Sequence, residues 1–150
     1  TRVPPALERV RATLDDPAIG LALSAPAQKD QADTARFHVE RARALTAEGK
    51  DRDAVSELRR AVYLAPYEDE PHLLLGRLYL RAGRVTEAIE EFTVAIWCRE
   101  TAAARIALGS ARVANGDREA ARREFERALA LSPDSAEARD WLKKIGGLAP

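Results

Sequence analysis

Histidine occurs twice in this chain, at His38 and His72, and cysteine once, at Cys98. Two imidazoles share a metal ion only if each approaches it to about 2 Å. A single cysteine excludes an intrachain disulfide and a cysteine-based zinc site. A nucleophilic thiol needs a base placed beside it, and Cys98 is flanked in sequence by Trp97 and Arg99. The clustered charges Glu87, Glu90, Glu91, Arg122, Arg123, Glu124 and Glu126 read as a solvated helical face with i,i+4 pairs, not as an acid pair in a cleft. Neither a Gly-rich phosphate loop nor a Ser-His-Asp arrangement is recognisable. On these grounds no catalytic residue, metal ligand or cofactor is assigned.

The histidines are informative for another reason: they are spaced by one period of an internal repeat. A step of 34 residues pairs Ala42 with Gly76, Leu45 with Tyr79, Gly49 with Gly83, Ala54 with Ala88, Leu58 with Phe92 and Ala61 with Ala95. A further step of 33 pairs Leu75 with Leu108, Gly76 with Gly109, Gly83 with Gly116, Ala88 with Ala121, Phe92 with Phe125 and Ala95 with Ala128. Within one copy, Leu75, Gly76 and Tyr79 lie on one helix face, and Gly83 is a helix stop. A second helix carries Ala88, Phe92 and Ala95 as a stripe. Gly76 is then a close-packing position, held despite roughly 1 kcal/mol of lost helix propensity. A hairpin of this kind cannot bury its apolar face alone, so copies must stack. Stacked copies place equivalent atoms about 8–10 Å apart or more, which separates His38 from His72 too far for a shared metal. Each imidazole is expected to fill an aromatic-sized place between helices. Cys98, aligned with Leu64 and Leu131, is expected to be a buried hydrophobe, and Trp97 and Trp141 are expected to pack.

This pattern resembles the tetratricopeptide repeat family, with copies at about 35–68, 69–101 and 102–135. The second copy matches nearly in full. The first departs from the pattern, with Arg41 where Leu is usual and Leu58 where Phe is. The resemblance implies an all-α fold, a right-handed α-α superhelix of three helix-turn-helix repeats. Residues 136–146, with Ala138, Trp141, Leu142 and Ile145 on one stripe, read as a C-terminal capping helix. Domain organisation follows: an N-terminal extension over 1–30 and a repeat domain over 31–148. The extension holds a short helix after Pro4-Pro5 and an apolar stretch, Ile19, Leu21 and Leu23, without helical period. That stretch is expected either to cap the first repeat or to dock on a neighbouring copy, which would give a homo-oligomer or filament.

Composition agrees with a helical protein and narrows the partners. Charged residues make up 32% and aromatics 5%, and 24 basic residues balance 24 acidic ones. Overall neutrality argues against nucleic acid as partner, and no apolar run reaches membrane-spanning length. Methionine is absent, even at position 1, so the chain is expected to be a processed mature protein or a fragment, with a preference for export.

Solenoids bind along their concave face, lined by the first helix of each hairpin. The stripe beside the core-facing positions runs through Val39, Leu73 and Ile106 and through Leu80 and Val113, with Ser110 in the third copy. Arg36, Arg43, Arg77 and Arg81 flank it. An apolar floor facing solvent in register is expected to take another protein's segment, extended or helical, with apolar side chains and an acidic group. Family members that clamp acidic chaperone tails carry Lys and Asn where this chain has Val39, Arg43, Ala107 and Ser110, so that clamp is not expected.

Overall fold

In the computed structural model the described residues are 4, 5, 8 and 25–147. Ile19, Leu21 and Leu23 lie outside them. Seven helices are described: α1 (Ala25–Ala47), α2 (Asp51–Leu64), α3 (Asp69–Arg81), α4 (Val85–Cys98), α5 (Ala102–Ala114), α6 (Arg118–Leu131) and α7 (Ala136–Gly146). They pair as hairpins α1–α2, α3–α4 and α5–α6, followed by α7. Each helix packs on its sequence neighbours, and α3 also touches α5, so the first helices of successive hairpins share one face. The fold is an all-α superhelix of stacked repeats, as the 34- and 33-residue register predicts. One boundary differs. The first helix begins at Ala25, inside the stretch assigned to the extension, and so runs about ten residues further N-terminal than α3 or α5 do within their repeats.

Local chemistry sets the hairpins. Gly49, Gly83 and Gly116 each have φ between +75° and +82°, the left-handed conformation that Gly adopts without a Cβ clash. The chain reverses there after each first helix. Side-chain oxygens of Thr101, Asp117 and Ser135 accept from the backbone N–H groups of Ala104, Ala120 and Ala138, capping α5, α6 and α7.

The opposed helices meet where the small residues are. A β-carbon on Gly76 would stand 2.6 Å from Phe92 Cε1, and one on Gly109 would stand 2.5 Å from Phe125 Cε1. Each glycine is therefore the floor on which the next helix's phenylalanine ring rests. Ala88, Ala95, Ala121 and Ala128 are fully buried around these rings. Phe92 and Phe125 are themselves wholly buried, worth about 1.5–3 kcal/mol each. At the C-terminal end Trp141 of α7 stacks on Phe125, with centroids 5.3 Å apart and planes 8° from parallel. This covers the last repeat as expected of a cap.

Two packing expectations are corrected. Trp97, expected to pack, is 39% exposed, and Leu131, expected to be buried like the Cys98 aligned with it, is 40% exposed. Both sit in the last turn of a second helix. At that edge of the stack the first helices begin and the second helices end, and Phe37, Tyr63 and Tyr67 are exposed there too. Trp97 meets Tyr67 instead of the interior, at 6.4 Å between centroids.

Candidate functional site

Polar chemistry inside the hairpins is concentrated in one repeated contact. His38 Nδ1 of α1 faces Glu57 Oε2 of α2 at 2.5 Å. His72 Nδ1 of α3 faces Glu91 Oε2 of α4 at 2.7 Å. In the third hairpin, Arg105 of α5 donates to Glu124 of α6 at 2.8 Å. All three pairs are 19 residues apart, so one bridge from a nitrogen-bearing side chain to a carboxylate recurs at equivalent positions. The imidazoles thus bridge helices where sequence reasoning gives them an aromatic's filling role. Glu91 and Glu124 likewise leave the solvated face assigned to them. The signal was available, since the 34-residue step that pairs His38 with His72 also pairs Glu57 with Glu91.

Each bridge is shaped by its surroundings. His72 is buried, and its Nε2 donates to the Pro66 carbonyl at 2.8 Å. A carbonyl only accepts, so Nε2 carries a proton and the remaining contact lies between Nδ1 and Glu91. Glu57 also meets Arg41 and Arg60. Its carboxyl is held below the usual range, first by the His38 hydrogen bond and then, against its burial, by the charges of Arg60, His38 and Arg41. The bridges tie the two helices of each hairpin together; His38 also borders a cavity of about 350 Å³ lined with Arg59, Arg60, Tyr63 and Leu64. Among the described residues no cluster of three or more His, Cys, Asp and Glu could hold a metal. Cys98 is partly buried, and its thiol is pushed up to about 11, by burial first and then by Asp69 and Glu68. That is the opposite of an activated nucleophile.

Two cavities lie along the face shared by α1, α3, α5 and α7. A cavity of about 280 Å³ between α1 and α3 is lined by Ala42, Arg43, Thr46, Leu58, Leu74, Arg77, Leu78 and Arg81. A second, of about 360 Å³, lies over α5 and is bounded by Arg77, Leu80 and Arg81 of α3 and by Glu137 and Trp141 of α7. Its floor includes Ala103, Ile106, Ala107 and Ser110, with Phe92 beneath. Arg77 and Arg81 belong to both, which joins the cavities into one groove.

The expected groove residues divide into three groups. Arg43, Arg77, Leu80, Arg81, Ile106 and Ser110 line the joined cavities. Arg36 and Val39 border a separate hollow of about 110 Å³ near the start of α3. Leu73 and Val113 are half-buried and pack against the two core clusters. The solvent-facing apolar floor is corrected at two places: Val39 is 4% exposed and Ile106 is 7% exposed. Neighbouring helices lean over these positions, so the accessible floor consists mainly of small residues and Leu80. Glu137 and Trp141 also line this groove, which the sequence pattern does not signal, because the stripe of α7 reads only as a lid for the core.

The four arginines differ in their charge partners. Arg36 pairs with Asp33 at 3.5 Å, Arg81 with Asp51 at 2.8 Å, and Arg43 with Glu70. Arg77 is exposed and meets no carboxylate among the described residues.

The family described as Bacterial transcriptional activator domain matches residues 5–96, and Tetratricopeptide repeat matches residues 102–145. The chain belongs to the bacterial transcriptional activator domain family and is a tetratricopeptide repeat protein. Its fold is similar to the first tetratricopeptide domain of Spaghetti (RPAP3) bound to an HSP90 peptide. That match has a TM-score of 0.75 and 24% identity over 77% of this chain and 92% of the other. The second such domain of human RPAP3, in complex with an HSP70 peptide, matches with a TM-score of 0.73 and 24% identity over 81% and 99%. The Arabidopsis OM64 tetratricopeptide domain matches with 0.75 and 19% over 77% and 97%. At these identities the likeness establishes the fold. No curated protein matches the chain. Among the described residues no helix is long and apolar enough to cross a membrane.

Proposed function

We propose that the chain is a non-catalytic scaffold that binds a polypeptide segment of another protein along its concave face. The observation that carries this is the joining of two cavities, about 280 and 360 Å³, through the shared Arg77 and Arg81. The result is a groove crossing three hairpins and the cap, long enough for several residues of a partner. Repeat domains of this fold in RPAP3 hold chaperone peptides, which supports the same use of the face here. The ligand differs, because Val39 is buried and Arg43 is engaged with Glu70 where a chaperone-tail clamp would need free Lys and Asn. The match to the Bacterial transcriptional activator domain family supports a polypeptide-binding role within an activator of that kind. Ile19, Leu21 and Leu23, the stretch expected to cap the first repeat or dock on a neighbouring copy, lie outside the described residues.

The test is selection of random displayed peptides against the chain, followed by Ala103→Arg. Ala103 is exposed and lines the larger cavity, so the long side chain fills the groove without disturbing the core. Selected peptides are expected to lose at least about tenfold in affinity, roughly 1.4 kcal/mol. Peptides that bind the variant as well as the parent would place binding elsewhere.

A further inference from the structure

The groove's own charges specify which segment it accepts, an inference that rests on the scaffold reading above. Arg43 and Arg81 are neutralised by Glu70 and Asp51 from neighbouring helices. Their ion pairs tie α1 to α3 and α3 to α2, and a ligand's carboxylate would have to displace a carboxylate already in place. Arg77 has no such competitor among the described residues, yet it stands on the common wall of both cavities. Across the larger cavity, in the first turn of α7, Glu137 is exposed and likewise meets no cation. Arg77 and Glu137 bound the same cavity from α3 and α7 but form no ion pair with each other. Between them the floor comes from α5 and is small and largely apolar.

We infer that the groove reads a segment in which one acidic residue and one basic residue flank an apolar side chain, the acid seated on Arg77 and the base on Glu137. The planar guanidinium suits a bidentate carboxylate contact, while the carboxylate of Glu137 accepts from an ammonium or guanidinium. The apolar side chain enters the cavity between them, beside Leu80 and Trp141. The smaller cavity beyond Arg77 takes a second apolar residue on the acid's outer side, next to Leu74 and Leu78. Because the two unpaired charges have opposite sign, a segment with acid and base exchanged sets like charges together at both ends. Polarity of charge therefore fixes the direction in which the segment lies.

The experiment uses the full chain and the peptides selected on it, taking those blocked by Ala103→Arg as groove binders. Their sequences are expected to share an acidic and a basic position around an apolar one. Arg77→Glu, at an exposed position without a partner, should leave the circular dichroism and melting of the chain unchanged. It should also weaken these peptides by about tenfold or more. Replacing the peptide's acid by Lys should restore binding to Arg77→Glu, and Glu137→Gln should weaken only peptides that carry the base. Groove binders indifferent to Arg77→Glu, or not rescued by the Lys peptide, overturn the charge code while the scaffold reading stands. A selection that yields no groove binder overturns both.

Discussion

Phe125 Cε1 lies 2.5 Å from the place where Gly109 would carry a β-carbon. No real Cβ contact is that short, so the ring and the glycine define each other. The ring is wholly buried and is stacked on its other side by Trp141, which leaves it nowhere to move. Gly109→Ala should therefore destabilise the chain although alanine is the better helix former by about 1 kcal/mol. Overpacking costs about 1–3 kcal/mol, and a ring enclosed on both sides takes the upper half of that range, about 2–3 kcal/mol, so the net effect is expected to be a loss of roughly 1–2 kcal/mol, and Gly109→Leu should lose more. A urea midpoint for Gly109→Ala equal to or above that of the parent would show that the contact is not close-packed.

That glycine also shows what the sequence can and cannot reveal. Leu108-Gly109 and Leu75-Gly76 recur one period apart because backbone approach is the same problem in each hairpin. Helix number, turns and core followed from that recurrence. Exposure of the concave residues did not. A rotation of one helix by one residue moves a side chain by 100°, enough to turn the expected open positions Val39 and Ile106 into buried ones. Glu137 and Trp141 joined the groove through the stacking of α7 on the third hairpin. No periodicity within the repeats encodes that placement.

Acid should act on the first hairpin through Glu57. Its carboxyl is held down chiefly by the His38 hydrogen bond. A group whose folded value lies below its unfolded one contributes stability that is present above the unfolded value and is lost as pH falls through the folded one. The parent should thus lose stability as pH drops below the ordinary carboxylate range, about 4.3. Glu57→Gln should be less stable near neutrality and lose less over the same descent. Urea midpoints measured from about pH 7 down to about pH 3 give both slopes. Parallel slopes would remove Glu57 from the acid response.

Cys98 should be slow to alkylate. With its thiol pushed up to about 11, the thiolate fraction near pH 8 is about 10⁻³, against roughly a quarter for a free cysteine with a pKa of about 8.5. Iodoacetamide is expected to react with the folded chain at least about a hundredfold more slowly than with the same chain in denaturant. Its Sγ donates only a long contact to the Pro66 carbonyl, 3.9 Å, so environment rather than that bond sets the rate. Equal rates folded and unfolded would mean that the thiol is neither buried nor raised.

His72 and Glu91 allow the repeated bridge to be weighed as a pair. Truncating one partner leaves the other half-buried with its polar group unmet, which costs about 1–3 kcal/mol. His72→Phe restores the aromatic that the repeat pattern usually has at this position, but it strands Glu91, whose only bridge among the described residues is to His72. The single variant is therefore expected to be destabilised. Adding Glu91→Leu removes the stranded carboxylate, and replacing a buried polar pair by well-packed apolar groups is often neutral or stabilising. The double variant should recover most of the loss, with a coupling of about 1 kcal/mol or more in the cycle of urea midpoints. At the first hairpin the same exercise should give a smaller coupling, because Glu57 keeps Arg41 and Arg60 when His38 is replaced. Additive losses at His72 and Glu91 would show that the imidazole stabilises α3 by filling space alone, with its bridge to α4 contributing nothing.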